Sequence, residues 1–165
     1  MPPWDAEALA AHQARYREAG FEIIGLEGDQ FDMSRIKQGL PGRDEDIERY
    51  KCMLRNMGRA GIRLLCYNFM VGIGWYRTRT SLKIRGGARV SGFDAEAAAA
   101  LGLTDAGQIS RDQVWDNYEY FIRRVIGAAE DAGVRMALHP DDPPVPELRG
   151  IGRIMTSSDA MAVAI

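Results

Sequence analysis

The chain has 165 residues, 46% hydrophobic and 27% charged, which suits a folded domain with a core of its own and excludes a disordered or fibrous polymer. A formal net charge of −2 argues against a nucleic-acid partner, which would be held by a surplus of cations on phosphates. No apolar run approaches the roughly 18 residues that cross a bilayer, and the N-terminal MPPWDAEALAAHQ lacks the basic-then-apolar order of a secretory signal.

In chain order, Asp5 to Ala19 reads as a helix, with Leu9 and Tyr16 on one face and Gly20 as its stop. Phe21 to Leu26 (FEIIGL) is a short apolar run, read as a buried strand. Asp44 to Ala60 is a stronger helix. Asp44, Glu45 and Asp46 stand where the helix dipole favours acids, and Ile47, Tyr50, Leu54 and Met57 recur at helical spacing as an apolar face. Gly61 ends it, and Ile62 to Tyr67 (IRLLCY) follows as a second strand. A long polar connection from about Thr78 to Ile109 carries one short helix over Asp94 to Leu101. Ser110 opens the best helix, with Gln113 at capping-box spacing and Val114, Tyr118, Phe121, Val125 and Ala129 as its core face. Gly133 stops it, Val134 to Leu138 (VRMAL) is a third strand, and Ser157 or Ser158 caps a last helix.

Each strand is introduced by the same phrase, a helix and then Ala-Gly: Ala19-Gly20, Ala60-Gly61 and Ala132-Gly133. Successive βα units of an α/β protein produce this repetition, giving about three parallel strands with flanking helices and right-handed crossovers. A partial (β/α)₈ barrel fits the pattern, and so does an open flavodoxin-like sheet; periodicity does not choose between them. Cys52 and Cys66 are not spaced as a zinc knuckle and read as reduced thiols of a cytoplasmic protein.

Functional groups of parallel α/β folds gather at the C-terminal ends of the strands. Here those ends hold Glu27, then Tyr67-Asn68-Phe69-Met70 with Trp75 and Arg77 close behind, then His139-Pro140-Asp141-Asp142-Pro143-Pro144. His139, with two carboxylates beside it, is a candidate ligand for a divalent transition metal, or else a strand cap bonded to local backbone. Asn68 and Arg77 suit a polar, anionic small molecule, Arg77 through its planar fork, or else Arg77 pairs with a surface acid. Glu27 is a candidate base or a structural partner. Tyr67, Phe69 and Trp75 are expected to pack the mouth of the site, His12 to be solvated and Cys66 to act as a small buried hydrophobe.

Longer stretches resemble one family. Ile36-Lys37-Gln38-Gly39-Leu40-Pro41-Gly42-Arg43-Asp44, Arg55-Asn56, Ala60-Gly61-Ile62, Cys66-Tyr67-Asn68-Phe69-Met70, Trp75-x-Arg77-Thr78 and Arg135-Met136-Ala137-Leu138-His139-Pro140-Asp141-Asp142-Pro143-Pro144 are similar to segments of mannonate dehydratases, in the family's order. The resemblance implies a (β/α)₈ barrel of the xylose-isomerase-like kind and a hydro-lyase that turns D-mannonate into 2-dehydro-3-deoxy-D-gluconate in hexuronate breakdown, with Mn²⁺ or Fe²⁺. By the same resemblance His139 matches a metal ligand, and Asn68, Arg77 and Asp141 match substrate-binding positions at the mouth of the site. Two positions depart from the pattern: Val71 stands for a usual proline and Gly74 for a usual aspartate, which leaves room for another sugar epimerase or isomerase of the same superfamily.

A whole (β/α)₈ barrel takes about 250 residues. Residues 1–165 are therefore expected to form a single incomplete barrel domain, a fragment without activity of its own, with strands near 21–26, 62–67 and 134–138. The remaining metal ligands that the resemblance implies (a Cys, a second His and an Asp) and the acid–base residues are expected beyond Ile165. Three strands alone would leave raw sheet edges, so self-association is expected of the isolated chain, and a homo-oligomer is compatible with the sequence.

Overall fold

A computed structural model describes residues 2–164. The elements run α1 (Ala6–Glu18), β1 (Leu26–Glu27), α2 (Ser34–Gln38), α3 (Arg43–Arg59), β2 (Leu64–Tyr67), β3 (Arg79–Lys83), β4 (Arg89–Gly92) and α4 (Ala95–Ala99). There follow α5 (Arg111–Ala132), β5 (Arg135–Leu138), β6 (Glu147–Leu148), β7 (Ile151–Gly152) and α6 (Ser158–Val163). They fall into two compact units: residues up to Asn68 together with Asn117–His139, and Phe69–Asp116 together with residues from Pro140 on.

The first unit is built on a parallel three-stranded sheet in the order β1-β2-β5. Parallel neighbours require helical crossovers, and the amphipathic faces of α3 and α5 provide the cover. Ile47, Tyr50, Leu54 and Met57 of α3 are buried, as are Tyr118, Phe121, Val125 and Ala129 of α5. The Tyr50 and Phe121 rings meet edge to face, 5.0 Å between centroids and 88° between planes, an arrangement the ring quadrupoles favour. Asp5 caps α1 by accepting the N–H of Glu7 at 2.9 Å.

The apolar run from Phe21 to Leu26 differs from its expected form. Only Leu26 and Glu27 pair, Leu26 with Leu65 and Glu27 with Cys66, while Phe21 is 66% and Ile24 75% exposed. The physical reason is that β1 is the sheet edge: β2 lies on one side of it, and among the described residues no strand pairs with the other.

In the second unit, the expected polar connection contains an antiparallel hairpin, β3–β4. Arg77, Arg79, Lys83, Arg85 and Arg89 fall along this stretch without an acid between them. Asp94 caps α4 through the N–H of Ala97, and Ser157 caps α6 through the N–H of Ala160, both at 3.1 Å. β6 and β7 form a second small hairpin, and Ile109 bridges to Ile151, with Ile109, Ile151, Ile154 and Met155 making this unit's core. Among the described residues no helix is long and apolar enough to cross a membrane.

Candidate functional site

In the first unit, Tyr67 is the register partner of Leu138, so Asn68 and His139 occupy the next positions at the C-terminal ends of two neighbouring parallel strands. The His139 N–H donates to the Tyr67 carbonyl at 2.7 Å, which carries the ladder one residue past β5 and fixes where the imidazole leaves the backbone. Glu27, at the end of β1, is exposed beside them in sequence register with Cys66. Burial, with the charge of Glu27 adding to it, pushes the Cys66 thiol up. Tyr67 points into the core: it is 6% exposed, its hydroxyl meets that of Tyr118 at 3.0 Å, and burial raises its phenol above the ordinary range.

Next to Asn68 the structure places two groups that the sequence reading did not single out. Lys37 is 3% exposed, and its ammonium donates to Asp29 Oδ1 at 2.9 Å, Asp29 Oδ2 at 2.6 Å and Asn68 Oδ1 at 2.9 Å. Asp29 lies in the loop after β1 and Lys37 on α2, so three separate segments converge on one ammonium. The Ile36-Lys37 pair was visible within a family-like motif, but no spacing rule marks a lysine there as buried.

In the second unit, Arg77 forms a two-pronged pair with Asp142, Nη1 to Oδ1 at 2.7 Å and Nη2 to Oδ2 at 2.8 Å. Donating to the Asp142 carboxylate holds the Arg77 guanidinium firmly charged, and its Cζ lies 4.4 Å from the centre of the Trp75 ring, within cation–π range. Trp75, expected as packing, is instead 59% exposed; its neighbours Gly74 and Tyr76 lie on a surface loop, and its ring shields the Arg77 guanidinium, not a core.

Asp141 is 3% exposed. Its Oδ2 accepts the N–H groups of Ile154 at 2.9 Å and Met155 at 2.8 Å, and its Oδ1 faces Arg153 Nη1 at 3.4 Å. Arg153 is 1% exposed, and its Nη2 also donates to the carbonyls of Ile73 and Gly74. Burial lowers the Arg153 guanidinium's affinity for its proton, and the Asp141 charge opposes that. By resemblance Asp141 matches a position at the mouth of a substrate site; in the folded unit its carboxylate holds the loop of Ile73 and Gly74 and the chain at Ile154 together through Arg153.

Asn68 and His139 are thus brought side by side, while Arg77 and Asp141 lie in the other unit, each with a partner of its own. Among the described residues no group of three or more His, Cys, Asp or Glu is placed to hold an ion, whereas catalytic centres take about three protein ligands. Of such a set, His139 is a single donor.

A family profile described as D-mannonate dehydratase (UxuA) matches residues 2–104 and 101–165. The chain belongs to the D-mannonate dehydratase family. Among its relatives, a mannonate dehydratase of Streptococcus suis is 36% identical over 96% of this chain and 49% of its own length. Mannonate dehydratase 1 of Bacillus licheniformis is 31% identical over 98% of this chain and 53% of its own. The crystal structure of mannonate dehydratase from Streptococcus suis serotype 2 superposes with a TM-score of 0.85 at 36% identity, covering 97% of this chain and 47% of that one. The chain spans about half the length of the curated relatives it matches. The match runs through both strand ends that carry Asn68 and His139 and through the segment that holds Lys37.

Proposed function

We propose that these residues form part of the active site of a cytoplasmic hydro-lyase that converts D-mannonate into 2-dehydro-3-deoxy-D-gluconate and water during hexuronate breakdown. The observation that carries the reading is the juxtaposition of Asn68 and His139 at register-matched ends of neighbouring parallel strands, within a stretch that matches the family. The same reading takes the three parallel strands as a segment of a single (β/α)₈ barrel domain, supported by the superposition on the Streptococcus suis enzyme.

The reaction removes a proton from C2, breaks the C3–O bond, protonates the departing hydroxyl to water and lets the resulting enol become the 2-keto acid. It needs a base and an acid, and neither is assigned within this chain. What the chain offers is orientation. The substrate is a carboxylate with hydroxyls along its length, so it presents mostly oxygen acceptors. The Asn68 amide can donate to one, and the Arg77 fork matches the carboxylate, with which Asp142 would compete. Asp141, also assigned to substrate binding by resemblance, acts on this reading through the loop it braces. We assign His139 as one ligand of the Mn²⁺ or Fe²⁺ that the resemblance implies, with the other donors drawn from residues beyond those described; no step is derived through the ion.

The test is to incubate the complete enzyme with D-mannonate and follow both the 2-keto acid and the sugar acid. Formation of 2-dehydro-3-deoxy-D-gluconate is expected. Conversion of D-mannonate into an epimer or isomer without loss of water, or no conversion at all, would refute the assignment; an isomerase is the outcome that the Val71 and Gly74 departures would favour.

A further inference from the structure

Lysine is almost never fully buried unless its charge is paired. Lys37 is 3% exposed, yet the pairing carboxylate, Asp29, has a side chain 38% exposed, so the salt bridge does not need a lysine so deep in the fold. Its depth places the ammonium against Asn68. An ammonium has donors and no acceptor, so the atom of the Asn68 amide that faces it must be the oxygen, and the NH₂ is turned the other way. A neutral partner such as a serine hydroxyl could accept either orientation; Lys37 accepts one.

Lys37 is itself held from behind. Its backbone N–H donates to the Met33 carbonyl at 2.9 Å, and its own carbonyl accepts from Asn117 Nδ2 at 3.1 Å. Asn117 can reach that carbonyl because residue 39 is glycine: a Cβ there would lie 2.5 Å from Asn117 Oδ1, and the backbone at Gly39 has φ 70°, in the left-handed region. Backbone, amide and glycine together fix the root of the side chain, while Asp29 and Asn68 fix its tip.

We propose that Lys37 is a positioning residue that locks the Asn68 amide so that the site receives N–H donors from it, the polarity that fits the oxygens of a sugar acid. The proposal rests on the reading above that Asn68 touches the substrate. Lys37 needs no contact with substrate; its effect passes through Asn68.

A double-mutant cycle on the complete enzyme tests it. Lys37→Met keeps length and burial and removes the donors, and Asp29, already partly open to water, loses little. Lys37→Met is expected to lower kcat/KM for D-mannonate by about ten- to a hundredfold, the range for losing a hydrogen bond to a charged group, with the thermal midpoint unchanged or raised. Asn68→Ala should lower it by a similar factor, and the double variant should be no worse than Asn68→Ala alone, because Lys37 then has nothing to orient. Lys37→Arg, which keeps a charged donor, should recover part of the loss. Losses that multiply in the double variant, or a Lys37→Met enzyme with unchanged kcat/KM, would overturn the proposal. The Asn68 side-chain amide resonance gives a readout independent of the reaction. It should move or broaden in Lys37→Met, and an unmoved resonance would overturn the proposal even if D-mannonate proves not to be the substrate.

Discussion

Replacing Asp141 by Asn removes one charge and almost no volume, and the cost can be worked from its partners. Oδ2 accepts two backbone N–H groups, from Ile154 and Met155, and Oδ1 faces the Arg153 guanidinium. All three are donors, and the substituted amide brings a donor of its own. If its nitrogen takes the place of Oδ2, two backbone N–H groups lose their acceptor at about 1–3 kcal/mol each. If it takes the place of Oδ1, Arg153, 1% exposed, loses the counter-charge of Asp141, at about 3–5 kcal/mol. The protein adopts the cheaper arrangement, so about 3 kcal/mol of destabilisation is expected. The same substitution one residue later, Asp142→Asn, weakens the pair with Arg77, in which the Asp142 and Arg77 side chains are 29% and 19% exposed, at about 1 kcal/mol. Urea unfolding followed by circular dichroism, on Asp141→Asn and Asp142→Asn side by side, measures the gap of about 2 kcal/mol directly. Equal midpoints at equal slopes, or the reverse order, would refute the claim that Asp141 is a brace.

Gly74 stands where the family pattern has aspartate, and a Cβ at that position meets no atom within 4 Å. Gly74→Asp is therefore expected to leave stability within about 0.5 kcal/mol of the parent, and a loss of several kcal/mol in the same unfolding assay would show that the glycine is required by space or backbone. Burial and the Glu27 charge hold the Cys66 thiol in its protonated form, and the thiolate is the species that reacts. Iodoacetamide should consequently modify Cys66 slowly near about pH 8 compared with an exposed peptide thiol, with a rate that climbs as pH rises and a faster reaction in Glu27→Gln; a rate at the peptide value would contradict this.

Much of the fold was legible because burial writes a period into the chain. The face of α5 from Val114 to Ala129 repeats at helical spacing, and every one of its five expected core residues is buried. The adjacency of Asn68 and His139 followed from two strands ending at equivalent points. The hairpin β3–β4 was hidden for the converse reason. All of its residues are exposed except Leu82 and Gly92, so no alternation of apolar and polar residues marks it out from a loop. FEIIGL carried the apolar signal of a buried strand, but pairing starts only at Leu26, because an edge position depends on neighbours that the run itself cannot encode. Position alone also gave Asp141 and Asp142 equal standing. Their separate jobs depend on Arg153 and Arg77, residues 12 and 65 positions away. Lys37 was missed because a charged residue on a five-residue helix reads as solvated, and only the convergence of Asp29 and Asn68 shows that it is buried.

The most direct measurement is a crystal structure of the complete enzyme with D-mannonate bound. The sugar acid is expected at the ends of β2 and β5, with an oxygen within hydrogen-bond distance of Asn68 Nδ2 while Lys37 Nζ still holds Asn68 Oδ1. A sugar acid lodged away from these strand ends, or an Asn68 amide turned with its oxygen to the ligand, would contradict this.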